Sequence, residues 1–253
     1  MRPYEELVSE AAEADVTGWS FDWLDGRATE ERPPWGYARL LAERLGRVAS
    51  ALDLDTGGGE VVAEAPRFPA RMCVTESWPP NVERARALLG PRGVDVHPTE
   101  QGGPLPFPDG TFELVTSRHP IRPDWPEIHR VLAPGGRYFA QHVGPKSVVE
   151  LSEFFLGPLP GATDGRDPAI ERAAAKRAGL AITDLRTARC RMEFFDVGAV
   201  VWILRKCVWW VPDFSVEKYE AELRRLDALI RDRGSFVAHS TRHLIGAARP
   251  ATR

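Results

Sequence analysis

Between residues 49 and 145, short apolar runs alternate with stretches of helical character at a steady spacing. Ala51–Leu54, Arg71–Thr75, Val94–His97, Phe112–Ser117 and Arg137–Val143 read as five strands. Glu60–Glu64, Pro80–Leu89 and Asp124–Leu132 read as helices between them. The last places Trp125, Ile128 and Leu132 on one side and meets Pro134-Gly135-Gly136, a stop signal. This alternation predicts βαβ units and a parallel sheet, and right-handed crossovers put helices on both of its faces.

The flanks are less regular. Residues 1–15 predict a helix, followed by the aromatic segment Trp19, Phe21 and Trp23. A second helix spans Trp35–Leu45, opened by Pro33-Pro34. Further on, Pro168–Ala178 is expected as a helix, Ala181–Arg191 as a strand and Glu193–Lys206 as a helix. Val216–Arg231 is an amphipathic helix with Tyr219, Leu223, Leu226 and Ile230 on one face, and Phe236–Ala247 is a last strand.

With 253 residues, of which 43% are hydrophobic and 27% charged, the chain can bury its own core without disulfides or metals. A net charge of −3 offers no strong field for a phosphate backbone, so a nucleic-acid substrate is disfavoured. Cys73, Cys190 and Cys207 form no close pair and are expected as reduced, mostly buried thiols, which suits the cytoplasm. The N-terminal stretch has no apolar signal-peptide core. The unbroken apolar run Ala199–Leu204 is too short to span a bilayer, so no membrane association is expected.

Chemistry concentrates at Asp53-Leu54-Asp55-Thr56-Gly57-Gly58-Gly59-Glu60, where a strand runs into glycines that let a ligand approach the backbone. A nicotinamide dinucleotide and S-adenosylmethionine (SAM) compete for this signature. The dinucleotide fingerprint needs a third glycine where Val62 stands, and its pyrophosphate would face Asp53 and Asp55. SAM has no phosphate and carries an ammonium and a cationic sulfur, which carboxylates suit. Glu76 follows the second strand, 17 residues past Gly59, where an acid can accept hydrogen bonds from ribose hydroxyls; either cofactor would use it.

Several segments in order are similar to one family. They are Leu52–Glu60, Thr75–Val82, Leu105–Val115 and Arg130-Val131-Leu132-Ala133-Pro134-Gly135-Gly136. The chain resembles the class I SAM-dependent methyltransferases of the Methyltransferase-11 type, and within them the actinobacterial branch. The resemblance implies a Rossmann-like, doubly wound α/β fold. Its sheet would be mostly parallel and seven-stranded, with helices on both faces and an antiparallel last strand. One domain would comprise an N-terminal helical cap (1–48), a SAM-binding core (49–145) and a C-terminal half (146–253) carrying substrate-side helices. It also implies that Asp53 and the backbone of Gly57, Gly58 and Gly59 hold the methionyl part of SAM and that Glu76 binds the ribose. Ser77 or Trp78 would border the adenine, Glu100 or Gln101 would meet its amino group, and Ser117, Arg118 and His119 would line the site further on. One position departs from the pattern: Asp55 occupies the first glycine of the motif, where it can crowd the cofactor or bind its ammonium.

Methyl transfer is a displacement with a good neutral leaving group, so alignment matters most, and an acceptor may also require a base. His119 and His142 are the candidate catalytic bases, each placed after or near a strand's carboxyl end; the alternative for both is a structural role. No H-x-x-H or Cys/His grouping is present, so no metal is expected. The N-terminal aromatics Trp19, Phe21, Trp23, Trp35 and Tyr37 can cap the cofactor or simply pack. Trp202, Trp209, Trp210 and Phe214 can line an acceptor pocket or lie in the core. The expected partner is a small-molecule methyl acceptor, with an RNA acceptor or a SAM-binding module of little activity as alternatives.

Overall fold

The computed structural model describes residues 2–18, 20–160 and 166–251. Trp19, one of the candidate capping aromatics, lies outside them. Among the described residues eight strands hydrogen-bond in the order β1-β7-β8-β6-β5-β2-β3-β4. The fold is the expected Rossmann-like one, mostly parallel with antiparallel pairs toward one edge. The sequence predicts seven strands; the extra one is β1 (Ala28–Glu30), three residues long and paired antiparallel to β7 (Ala181–Phe194), too short to show a period of its own.

The chain divides into two compact units that interleave along the sequence. The larger holds residues 34–144, 164–188 and 242–253. Its strands β2 (Ser50–Leu54), β3 (Arg71–Glu76), β4 (Asp95–Pro98), β5 (Phe112–Arg118) and β6 (Leu132–Val143) run parallel. The end of β8 (Phe236–Ala248) pairs antiparallel with β6. One apolar cluster joins Leu52, Val115, Tyr138 and Ile245 to Ile128 of α5 (Trp125–Val131) and Ala175 of α7 (Pro168–Arg177). Another joins Ala51, Val74, Leu114 and Phe139 to α2 (Tyr37–Leu45), α3 (Glu60–Ala63) and α4 (Pro79–Leu89). Adjacent residues of one strand thus feed opposite clusters, as period-two side chains must.

Local chemistry sets the helix starts. Asp124 accepts the amide of Glu127 at 3.1 Å to open α5, and Asp167 accepts that of Ala169 at 2.7 Å to open α7. Pro134-Gly135-Gly136 does not lie between α5 and the fifth core strand, where the sequence places a stop, but inside β6 itself. The β5–β6 register shifts there, and a Cβ on Gly136 would meet the Ala133 carbonyl at 2.8 Å.

The smaller unit holds residues 1–33, 145–163 and 189–241. Its core gathers Leu7 and Ala11 of α1 (Tyr4–Glu13), Phe155 of α6 (Val149–Leu156), and Leu226 of α9 (Glu220–Arg233) around α8 (Val197–Lys206). Helix α8 is buried on nearly every side, and it starts at Val197 because Asp196 caps it through the amide of Ala199 at 2.8 Å. Trp23 stacks on the buried Trp202 with ring centroids 5.6 Å apart, and Trp210 and Phe214 pack against the same core, while Trp209 is exposed. Cys73, Cys190 and Cys207 are buried and no disulfide joins them. No helix among the described residues is long and apolar enough to cross a membrane.

Candidate functional site

The carboxyl ends of β2, β3 and β5 lie side by side in the larger unit, where open α/β sheets bind ligands. At the end of β2 the chain turns through Asp55, Gly57 and Gly59, all with positive φ, of 53°, 65° and 86°. Gly59 is forced twice over. Its left-handed backbone opens α3, and an added Cβ would stand 2.7 Å from Leu89 Cδ1. At Gly57 the space beyond the backbone is open, and a Cβ added there would meet nothing within 4 Å. The bend is therefore not packed shut.

Glu76 closes the bend from the neighbouring strand. Its Oε2 accepts the Gly57 amide at 2.8 Å, and its Oε1 accepts the amides of Ser77 at 2.8 Å and Trp78 at 2.9 Å. A carboxylate offers about four lone-pair sites, so roughly one stays available for a ligand hydroxyl. Asp53 sits below the bend, 4% exposed, and accepts the Thr116 hydroxyl from the paired strand β5 at 2.5 Å. Burial pushes its acid up from 3.8 to about 6, and the Thr116 hydrogen bond only partly offsets this. Asp55 is exposed at the bend. Its acid is raised, first by the solvent lost on its protein side and second by the Glu76 carboxylate. Asp53, Asp55 and Glu76 thus form one acidic group around the glycines.

Beside them an open cleft is lined by Leu54, Asp55, Glu100, Ser117, Arg122 and Tyr138 among others. Ser117 donates its hydroxyl to the Leu54 carbonyl at 3.1 Å, and its own carbonyl accepts from Tyr37 at 3.0 Å. Of the expected residues, Asp55, Glu100 and Ser117 line this cleft; Asp53, Gly57, Gly58, Gly59, Glu76 and Ser77 build the bend beside it. Gln101, Arg118 and Trp78 are exposed and stand outside the lining.

Neither histidine belongs to the cleft lining. His119, with φ 61°, is half-buried and held by Gln141. Gln141 Oε1 accepts the indole N–H of Trp35 at 2.8 Å, so its amide nitrogen donates to His119 Nε2 at 2.9 Å and places the His119 proton on Nδ1. Burial first, and the cations of Arg118 and Arg242 after it, keep this imidazole neutral, well below its ordinary pKa. His142 is 1% exposed. Its Nε2 meets the Tyr138 hydroxyl at 3.0 Å and its Nδ1 meets Glu171 at 2.6 Å. Sequence reasoning does not reach Thr116, Gln141 or the bonded role of Trp35, because each meets its partner across strands or over a long loop. Nor does it reach Arg130, which binds the carbonyls of Leu105 and Phe107 and ties down the cleft-side loop.

Residues 52–140 match the methyltransferase domain family. Demethylmenaquinone methyltransferase of Thermus thermophilus is 39% identical over 95 residues, which is 34% of this chain and 43% of that protein. The chain thus spans less than half the length of that relative. A candidate methyltransferase of Bacillus halodurans C-125 superposes with a TM-score of 0.61 at 17% identity, over 85% of this chain and 99% of the other. A geranyl diphosphate methyltransferase in complex with GPP and sinefungin superposes with a TM-score of 0.51 at 18% identity, over 84% of this chain and 77% of that one. The glycine bend, Glu76 and the cleft all lie in or against the segment that matches the methyltransferase domain family, within a methyltransferase fold.

Proposed function

We propose that the chain is a SAM-dependent methyltransferase that acts on an oxygen, nitrogen or carbon nucleophile of a small molecule. The observation that carries this reading is an open glycine bend set beside an acidic cleft. Asp55, Glu100, Asp124 and Glu127 line it with Arg122 among the described residues, and Arg130 pairs with Glu127, which leaves three carboxylates facing the Arg122 guanidinium. Such a field attracts a cationic nucleoside and repels a pyrophosphate. It disfavours an RNA backbone for the same reason. The named relatives support a small-molecule acceptor, one being named for demethylmenaquinone and another for geranyl diphosphate. The finer placement in the actinobacterial branch rests on the ordered segments Leu52–Glu60, Thr75–Val82, Leu105–Val115 and Arg130–Gly136 and belongs to the same proposal, as does a cytoplasmic setting, supported by three buried cysteines without disulfides.

Bound SAM supplies an activated methyl on a positive sulfur with a neutral leaving group. The Gly57–Gly59 backbone and Asp55 hold its methionyl end, Glu76 offers its spare lone pair to the ribose, and Glu100 stands on the adenine side. Asp53 acts from below by fixing the end of β2. The protein's main contribution is alignment. A second reading, binding with little turnover, is favoured by the two histidines, since each is already committed to protein partners.

Calorimetric titration tests the proposal. SAM and S-adenosylhomocysteine are expected to bind and NADH not to. No heat with either adenosyl ligand at millimolar concentration overturns it. Turnover, read as S-adenosylhomocysteine released with phenol, amine and carbon-acid acceptors, separates the two readings.

A further inference from the structure

A second cluster of chemistry lies outside the cleft lining, one hydrogen bond behind Tyr138. His142 on β6 and His243 on β8 are directly opposed in the antiparallel register, so their side chains project from the same face of the sheet. Glu171 of α7 meets them there. His142 Nδ1 stands 2.6 Å and His243 Nε2 2.7 Å from the same carboxylate oxygen, Oε2. The three donor atoms all lie within 4.8 Å of one another. In the order His142, Glu171 and His243, relative exposures are 1%, 7% and 0%, so the cluster is buried, with Glu171 alone reaching toward solvent.

From this geometry we propose that His142, Glu171 and His243 form a binding site for one divalent transition-metal ion, with Zn²⁺ the best match. Two imidazole nitrogens and a carboxylate are the borderline donors that Zn²⁺ favours. The charge balance points the same way. Both hydrogen bonds to Glu171 come from imidazoles, and no lysine or arginine pairs with it among the described residues. A buried carboxylate without a cation is costly, and an ion held between the three groups removes that cost.

The surroundings are also those of a ligand set. The Tyr138 hydroxyl holds the far nitrogen of His142 at 3.0 Å, as outer groups orient metal-bound imidazoles. Placing the donors at about 2.0–2.1 Å from a tetrahedral ion sets each nitrogen roughly 3.3 Å from the Glu171 oxygen, about 0.6–0.7 Å beyond its present hydrogen-bonded distance. The fourth position falls to the second Glu171 oxygen or a water. The ion would fasten α7 to β6 and β8. The sequence conceals this set because Glu171 lies 29 residues from His142 and 72 from His243, far outside any ligand motif.

Titration of the full-length, chelator-treated protein with Zn²⁺ and Co²⁺ tests the site. The expected result is one equivalent bound, a visible Co²⁺ absorption band from nitrogen and oxygen ligands, and a Zn²⁺-dependent rise in unfolding temperature. Glu171→Gln and His243→Asn should abolish all three. Tyr138→Phe leaves every ligand in place and should weaken binding by about 10–100-fold. Absence of a stoichiometric Co²⁺ band in the wild type overturns the proposal, as does unchanged affinity in the ligand variants. Should those variants fail to fold, the wild-type spectrum and Tyr138→Phe decide. S-adenosylhomocysteine affinity of the wild type and of Glu171→Gln and His243→Asn, none of which alters the cleft lining, reports separately on the cleft.

Discussion

Replacing Asp53 with Asn should stabilise the protein, and by an amount that grows with pH. Asp53 lies under the glycine bend, 4% exposed, with its acid raised from 3.8 to about 6, mainly by burial. The folded state therefore holds this proton more tightly than the unfolded chain does. The stability tied to that proton is complete below 3.8 and is lost as pH rises through about 6. At about 1.4 kcal/mol per pH unit, the wild type loses roughly 1.6 kcal/mol by pH 5 and roughly 3 kcal/mol by pH 8. Asn resembles the neutral acid, and its carbonyl can still accept the Thr116 hydroxyl. Urea denaturation of both proteins across this range should show the Asp53→Asn variant gaining on the wild type by about 1.4 kcal/mol between pH 5 and pH 8. A gap that stays constant with pH, or a wild type that gains on the variant, refutes the reasoning. If Asp53 is retained for SAM, the stabilised variant should bind S-adenosylhomocysteine more weakly, a trade of stability for function.

Other perturbations separate the parts of the site. Glu76→Ala strips three amides of their acceptor and should cost about 2–4 kcal/mol in chemical denaturation while abolishing S-adenosylhomocysteine binding. Gly59→Ala meets both a left-handed backbone and Leu89, so its cost should be about 2–4 kcal/mol by the same measurement. Gly57→Ala meets the backbone restriction alone, so calorimetry should show about 1–2 kcal/mol of destabilisation and a disproportionate loss of ligand affinity. Arg130→Ala releases the carbonyls of Leu105 and Phe107, and limited proteolysis should then cut the loop at residues 101–110 faster, a change that added S-adenosylhomocysteine reverses.

Where a signal is local, the chain alone carries it. The alternation of apolar runs with helical stretches places β2 through β6 and their helices within a few residues, since each element's buried face repeats along its own segment. The glycine bend is legible for the same reason: positive φ at Gly57 and Gly59 is a demand on single residues. Glu76 stands at a readable distance from it. β1 carries no such signal because three residues show no period, and α6 carries none because its eight residues follow no capping side chain.

Contacts between distant segments were decided by tertiary structure. Strand register brings Thr116 to Asp53, a long reach brings Trp35 to Gln141, and antiparallel pairing sets His142 opposite His243 beneath Glu171. The surroundings of the histidines follow from those contacts. Both stand near strand ends in the sequence, yet one is locked by an amide and the other enclosed with a carboxylate. The same holds for the carboxylates: sequence puts Asp53 and Asp55 two residues apart, and the fold buries one and opens the other to the cleft. Burial and partner choice depend on which surfaces meet, and no pattern within a single segment contains that information.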